Sequence, residues 1–443
     1  MSDRFERIPS NLHDLIIIRR EHSGFWLPHI VRASTEFSLV KGLMRGSEVT
    51  SLEARGALTP MWVVVGLAMG PAVALGLARF AYALLLPAMR ADLGWNFAEA
   101  GAMNAANAAG YLAGALVAAL TARWAGDRLL FAVSLLLTAI TVAASGLTAD
   151  FTLLLALRLA AGFMGALVFI SGAGLVAAAA TEASKNRAPT LLGIYFCGAG
   201  MGIIASALAV PSLLETVGWR GGWLVLGGLG LAGAALGCFA LRHTREPARA
   251  MGRVGGGWSP RAMAHNLLAY GLFGAGYIAY ATFIIAYLRS EEGFSAASVS
   301  LFWSILGLTS VAAAFLWGPI LARLTGGLGT AATISVVMVG AAVPLLWSRP
   351  GGAYLSAILF GGSFLSVVAA VTAFARKAAR PHAWTAVIAA FTVVFGLGQC
   401  IGPILSGALS DGPSGIRSGL WLSVGLLAAG SIVAVFQGEP SAE

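Results

Sequence analysis

From residue 61 to residue 436 the chain alternates apolar runs of about 20 residues with short polar interruptions. A helix rises about 1.5 Å per residue, so a run of that length crosses a hydrocarbon core about 30 Å thick. Spanning strands would be shorter and would alternate polar with apolar positions, so the long unbroken runs predict helices rather than a barrel. The pattern places spans at 62–88, 98–121, 129–147, 151–178, 190–212 and 219–241, then at 264–288, 296–321, 329–347, 353–374, 385–409 and 419–436. The expected fold class is therefore all-α: a polytopic membrane protein with twelve transmembrane helices.

Spacing within the pattern suggests an internal repeat. Ala122-Arg123 in "LTARW" and Ala322-Arg323 in "LARLT" lie 200 residues apart, and the same shift pairs Gly76 with Gly276, Gly198 with Gly398, Gly202 with Gly402 and Ser206 with Ser406. Several matches at one offset point to two six-helix halves. An even number of spans in each makes them parallel copies about an axis along the membrane normal. The expected divisions are a polar N-terminal tail (1–60), a first half (61–241), a basic linker (242–262), a second half (263–436) and a short tail (437–443).

Composition agrees with lipid as the solvent: 58% of the residues are hydrophobic and 11% charged, where a soluble chain carries about 25% charged residues. The net charge of +9 is sorted by loop instead of forming one nucleic-acid-binding face. Even-numbered connections hold 13 Lys and Arg and odd-numbered ones 5, which predicts that the even loops and both termini lie in the cytoplasm, at the cell (inner) membrane. Residues 1–60 show no apolar stretch behind a basic start, so no cleavable signal peptide is expected; Met44 and Met61 are alternative starts. Cys197, Cys238 and Cys400 fall inside spans without metal-ligand spacing, so no metal and no cofactor is expected.

Two arginines interrupt the apolar spans, Arg79 in "GPAVALGLARFAYALLLPAMR" and Arg158 in "ALRLAAGFMG", with no Asp or Glu well inside any span. An unpaired arginine at mid-span costs roughly 2.5 to 3.5 kcal/mol on insertion scales. If spans one and four run in opposite directions, both sit in the outer half of the membrane. Two readings are open for each: a cationic site for an anionic solute, whose oxygens a guanidinium binds bidentately, or capture by backbone carbonyls or the interface. Span two carries Asn104, Asn107 and Tyr111 on one face, and span seven a stripe of Tyr270, Tyr277, Tyr280 and Tyr287. These suit a polar solute or, equally, helix packing and, for the end tyrosines, interfacial belts. "GLGLAG" at 228–233 matches a dinucleotide fingerprint but sits in an apolar span with no preceding strand, so it reads as close packing.

Twelve spans in a 6+6 arrangement, the basic central loop, and the arginine turns after spans two and eight resemble the major facilitator superfamily. "GLARFAYALLLPAMRADLGW", "NAANAAGYLAGAL" and "YGLFGAGYIAYATF" look like its YbfB/YjiJ-type branch. The resemblance covers 61–436 and implies that helices one and four line a central cavity, with Arg79, Arg158, Tyr82, Asn104, Asn107, Tyr277 and Tyr280 as candidate substrate-binding residues. It also implies cytoplasmic gating by Arg123, Asp127 and Arg323, although Ala122 and Ala322 stand where the superfamily loop motif has aspartate. Gly398, Gly402 and Pro403 in "GQCIGPILSG" resemble its helix-packing motif.

The function implied is alternating-access transport of a small organic solute, facilitative or secondary active, with a proton as a possible co-transported ion. No Walker-type phosphate loop is present for ATP-driven pumping. The alternatives are a polytopic membrane transferase, for which His243, His265 and His382 form no catalytic set, and a sensor or scaffold, for which only the 60-residue tail is available. Lipid bilayer and solute are the expected partners, without nucleic acid, and the protein is expected to be a monomer.

Overall fold

The fold is taken from a computed structural model that describes residues 61–183, 188–247, 258–380 and 383–439. The expected tail 1–60, residues 248–257 of the linker and residues 440–443 lie outside the described residues. Among the described residues there are twelve helices long and apolar enough to cross a membrane. They are α1 (Met61–Leu93), α2 (Phe97–Ala125), α3 (Asp127–Ala144), α4 (Phe151–Ala183), α5 (Ala188–Thr216), α6 (Gly218–Leu241), α7 (Ala264–Ser290), α8 (Ala296–Arg323), α9 (Leu328–Leu346), α10 (Pro350–Ala378), α11 (Trp384–Ser410) and α12 (Ile416–Val435).

Two helices differ usefully from their expected form. α1 continues past residue 88 because Arg90 and Asp92 belong to its last turn, which Gly94 closes at φ 69° while the Trp95 N–H bonds the Arg90 carbonyl at 3.1 Å. α1 is also irregular: α-helical from Met61–Leu67 and Met69–Pro71, π-helical over Ala72–Phe80, then α-helical from Tyr82–Leu93. Pro71 removes a donor from the hydrogen-bond ladder, and the wider turn that follows is closed by the Ala81 N–H on the Gly76 carbonyl at 3.0 Å. Arg79 lies in this π segment.

Small residues set the close packing in each half. Gly198 and Gly202 on α5 abut the carbonyls of Ala68 and Ala72 on α1, and Gly398 and Gly402 on α11 abut those of Gly271 and Ala275 on α7. The two helix pairs therefore repeat the same contact, at an offset of 200 for the glycines but 203 for their partners. Gly276 does not repeat the role of Gly76: Gly76 faces Gly202 on α5, whereas Gly276 faces Ser423 and Leu427 on α12. Gly110 and Gly162 let α2 and α4 approach backbone to backbone. The glycines of "GLGLAG" follow the packing reading, since Gly230 and Gly233 meet Ala139 and Val73 inside the bundle.

The halves meet along α2 with α11 and along α5 with α8. Pro403 and Gly407 of α11 lie on the α2 backbone at Gly101 and Phe97, and the Ser300 hydroxyl donates to the Ala207 carbonyl at 2.7 Å. On the face of the odd-numbered connections the end of α1 also packs on the end of α7. There the Asp411 carboxylate accepts from the N–H groups of Phe97 and Ala98, at 2.7 and 3.0 Å, tying the end of α11 to the start of α2. Toward the basic-loop face, α4 and α10 form no interface of comparable extent among the described residues. The bundle is therefore closed on the odd-loop face.

Candidate substrate site

The π segment of α1 directs Arg79 across the boundary between the halves. Its Nη2 donates to Gln399 Oε1 on α11 at 2.8 Å, and Gln399 Nε2 donates to the Tyr277 hydroxyl on α7 at 2.6 Å. The guanidinium also lies 5.5 Å from the ring centroid of Tyr111 on α2. Arg79 is 4% exposed and Gln399 1%, so the charge is held by neutral partners. A charge-assisted hydrogen bond of about 1.5–3 kcal/mol and a cation–π contact of about 0.5–2 kcal/mol are together of the size of the insertion penalty.

This cluster keeps unused donors. Arg79 Nε is buried without a partner. Among the described residues no acceptor is present for the Tyr277 hydroxyl proton, and the half-buried Tyr111 hydroxyl has no hydrogen-bond partner. Donors without acceptors, around a fixed positive charge, favour an acceptor-rich solute group.

Arg158 stands beside α1 at the same level but addresses other neighbours. Its Nη1 donates to the Ala78 carbonyl at 2.5 Å, and its guanidinium lies 5.1 Å from the ring of Tyr82 and 5.2 Å from that of Trp223. It is thus packed among α1, α4 and α6 of its own half, where its Nε and Nη2 are buried without a partner. Tyr82 stays in the same half, its hydroxyl donating to the Ala100 carbonyl at 2.7 Å.

The polar stripe of α2 is divided between two tasks. Asn104 Nδ2 donates across the halves to Thr282 Oγ1 on α7 at 2.5 Å and leaves its Oδ1 unpartnered, while Asn107 Nδ2 donates to the Arg158 carbonyl at 3.1 Å. On α7, Tyr277 belongs to the Arg79 cluster, and Tyr280 pairs with the Ser356 hydroxyl on α10 at 2.5 Å within the second half. The end tyrosines are not belt residues, which corrects the interfacial reading. Tyr270 is 5% exposed and stacks on Phe395, and Tyr287, fully buried, donates to Glu292 at 2.7 Å. Aromatic neighbours cover Tyr270, and Glu292, the Pro344 carbonyl and Arg417 surround Tyr287.

At the basic-loop face Arg123 ends α2, Asp127 begins α3 and Arg323 ends α8 with its side chain exposed. Sequence reasoning missed Glu246, whose carboxylate accepts from the N–H groups of Asp127 and Arg128 at 2.9 and 3.0 Å. It thereby ties the chain after α6 to the positive end of α3. It missed Gln399 as well, although this residue is one of only two glutamines in the chain and the one inside a span. That rarity was the available signal.

Two pseudo-repeated six-helix halves, closed over a buried cation where they meet, define a membrane transporter. The chain belongs to the family described as "Uncharacterised MFS-type transporter YbfB", which matches residues 71–435, and it is accordingly a multi-pass membrane transporter of the major facilitator superfamily, acting on a small solute. The fold is similar to that of a bacterial homologue of the human lysosomal transporter Spinster in an inward-facing, unoccupied conformation, at 15% identity and TM-score 0.63, covering 85% of this chain and 96% of that one. It is also similar to the nucleoside transporter NupG, at 14% identity and TM-score 0.64 over 85% of this chain and 98% of that one, and to a single-substitution variant of NupG at TM-score 0.67 and 16% identity, over 84% and 98%. No curated protein gives a significant match.

Proposed function

We propose that this transporter carries a small organic anion, its acidic group held by Arg79, and that the two halves rock to expose the site to one side at a time. The observation that carries the reading is the set of donors gathered where the halves meet: Arg79 from the first half, Gln399 and Tyr277 from the second. Gln399 Oε1 occupies the place on the guanidinium that a carboxylate oxygen would take. A bound anion would replace it and so exchange an inter-half contact for a solute contact. Asn104 and Thr282 supply a second polar bridge between the halves, and Arg158, Asn107, Tyr82 and Tyr280 hold the site's walls.

The basic even-numbered loops and both termini are assigned to the cytoplasm by their excess of Lys and Arg, in the cell (inner) membrane. With that orientation the closed face is external and the conformation is inward-facing, the state named for the Spinster homologue of similar fold. The protein acts as a monomer, because its site lies between halves of one chain. Arg123, Asp127 and Arg323 take the cytoplasmic gating role, with Glu246 supplying the acid that Ala122 lacks. Uniport and anion exchange need no further residue; a co-transported proton would use the carboxylates nearest the odd-loop face, Asp92, Glu99 and Asp411.

The test is flux of a small carboxylate into proteoliposomes. Saturable uptake is expected, and Arg79→Ala is expected to reduce it by about 10- to 100-fold, the loss of one charge-assisted contact, in protein shown to be folded by a cooperative thermal transition. Wild-type flux in that variant would refute the role of Arg79. Thiol labelling of a cysteine at Ala125 from the inside only, in oriented vesicles, checks the topology.

A further inference from the structure

The anion reading leaves the rest of the solute undefined, and the surroundings of Arg79 supply it. α7, α10 and α11 place a slab of stacked, nearly parallel rings beside the partners of the cation. Phe273 and Tyr277 stack with centroids 4.8 Å apart at 16°, Tyr277 and Phe395 lie 5.7 Å apart at 7°, and Tyr277 and Phe364 lie 6.1 Å apart at 21°. Tyr270 extends the slab, its ring 4.5 Å from Phe395 at 10°. Across from it, Phe80, the residue after Arg79, meets the face of Phe364 edge-on at 5.6 Å and 82°.

Helix packing alone needs large apolar side chains at these places, and leucine or isoleucine would serve. Parallel rings from three helices, meeting at the tyrosine that is bonded to the partner of Arg79, impose more: an aromatic stack with a polar edge, which one further parallel ring can extend. Two members of this surrounding, Phe395 of the slab and Tyr111 opposite, are half-buried while the other rings of the slab are buried. Those two are the rings a solute would touch. The first half contributes the positive charge and the second half the aromatic stack, so each end of an amphipathic solute meets a different half.

We infer that the solute is an aromatic or otherwise planar carboxylate, its acid on Arg79, Tyr277 and Tyr111 and its ring against Phe395. The inference rests on the anion reading and narrows it. An offset-stacked ring gains from quadrupole complementarity as well as from burial, whereas an alkyl chain gains from burial only.

The experiment measures binding of benzoate, propanoate and benzamide to the full chain in lipid nanodiscs by calorimetry, with the thermal midpoint recorded for every variant. Benzoate is expected to bind at least about tenfold more tightly than propanoate, a difference of the size of one aromatic stacking contact, and benzamide is expected not to bind at the same concentrations. Phe395→Leu is expected to remove the preference for benzoate while leaving propanoate unchanged; Phe364→Leu makes the same comparison if Phe395→Leu does not fold. Equal affinities for benzoate and propanoate in the wild-type protein overturn this inference and leave the anion reading standing. Binding of benzamide as tight as that of benzoate overturns the anion reading itself, and binding of none of the three by folded protein overturns both.

Discussion

Two buried arginines, Arg79 on α1 and Arg158 on α4, show how a charge acquires its role from its neighbours. Arg79 reaches out of its own half to a glutamine, a partner that another acceptor can replace. Arg158 reaches the carbonyl of Ala78 and the faces of Tyr82 and Trp223, partners that cannot leave without loosening α1, α4 and α6. Their substitutions should therefore differ in kind. Arg158→Ala removes a hydrogen bond from a charged donor, at a cost of about 1.5–3 kcal/mol, in addition to the cavity left behind. It is expected to lower the thermal midpoint while the protein that remains folded keeps its affinity for solute. Arg79→Ala is expected to lose affinity for solute even in the protein that remains folded. An Arg158→Ala protein with wild-type melting and a raised KM would place Arg158 among the solute-binding residues instead.

Among the helices, close approach depends on which glycine face meets which backbone. A Cβ at Gly402 would lie 2.2 Å from the Ala275 carbonyl oxygen, whereas one at Gly425 on α12 would meet nothing within 4 Å. Gly402→Val is expected to destabilise the protein by about 1–3 kcal/mol, the usual cost of overpacking, and Gly425→Val to leave melting unchanged. Equal melting of the two variants would show that α7 and α11 separate at little cost. The same helices show what the sequence made legible. A packing role for Gly398 and Gly402 was implied by the resemblance of "GQCIGPILSG" to a helix-packing motif, whereas the twelve spans followed from hydropathy. The π turn did not, because Pro71 announces a defect in the ladder but not where the ladder closes again. Nor did the division of the polar residues: Asn104 and Asn107 share a helix face by periodicity, yet one bonds α7 of the other half and the other bonds α4 of its own. Periodicity fixes the direction of a side chain and is silent on which helix stands there.

At the scale of the whole molecule, four polar links among the described residues cross the closed half of the interface: Arg79 to Gln399, Asn104 to Thr282, Ser300 to the Ala207 carbonyl, and the two oxygens of Asp411 to the N–H groups that open α2. The contacts of α2 with α11 and of α5 with α8 continue from this face into the bundle, and the polar links must break when the odd-loop face opens. Asp411 is the one among them that bears a negative charge, and it lies on the positive end of a helix. Asp411→Asn keeps an acceptor but loses the charge, which should weaken the closed state by about 1–2 kcal/mol and raise the population of the opposite state about 5- to 30-fold. Spin labels at Ala91 and Ala297 report the odd-loop face, and labels at Ala125 and Ala322 the basic-loop face. Rigid halves pivoting about their shared interface require the first distance to lengthen and the second to shorten in the same molecules. Lengthening of both distances would mean that the variant merely loosens the bundle, and no change in either would remove Asp411 from the closure of this face.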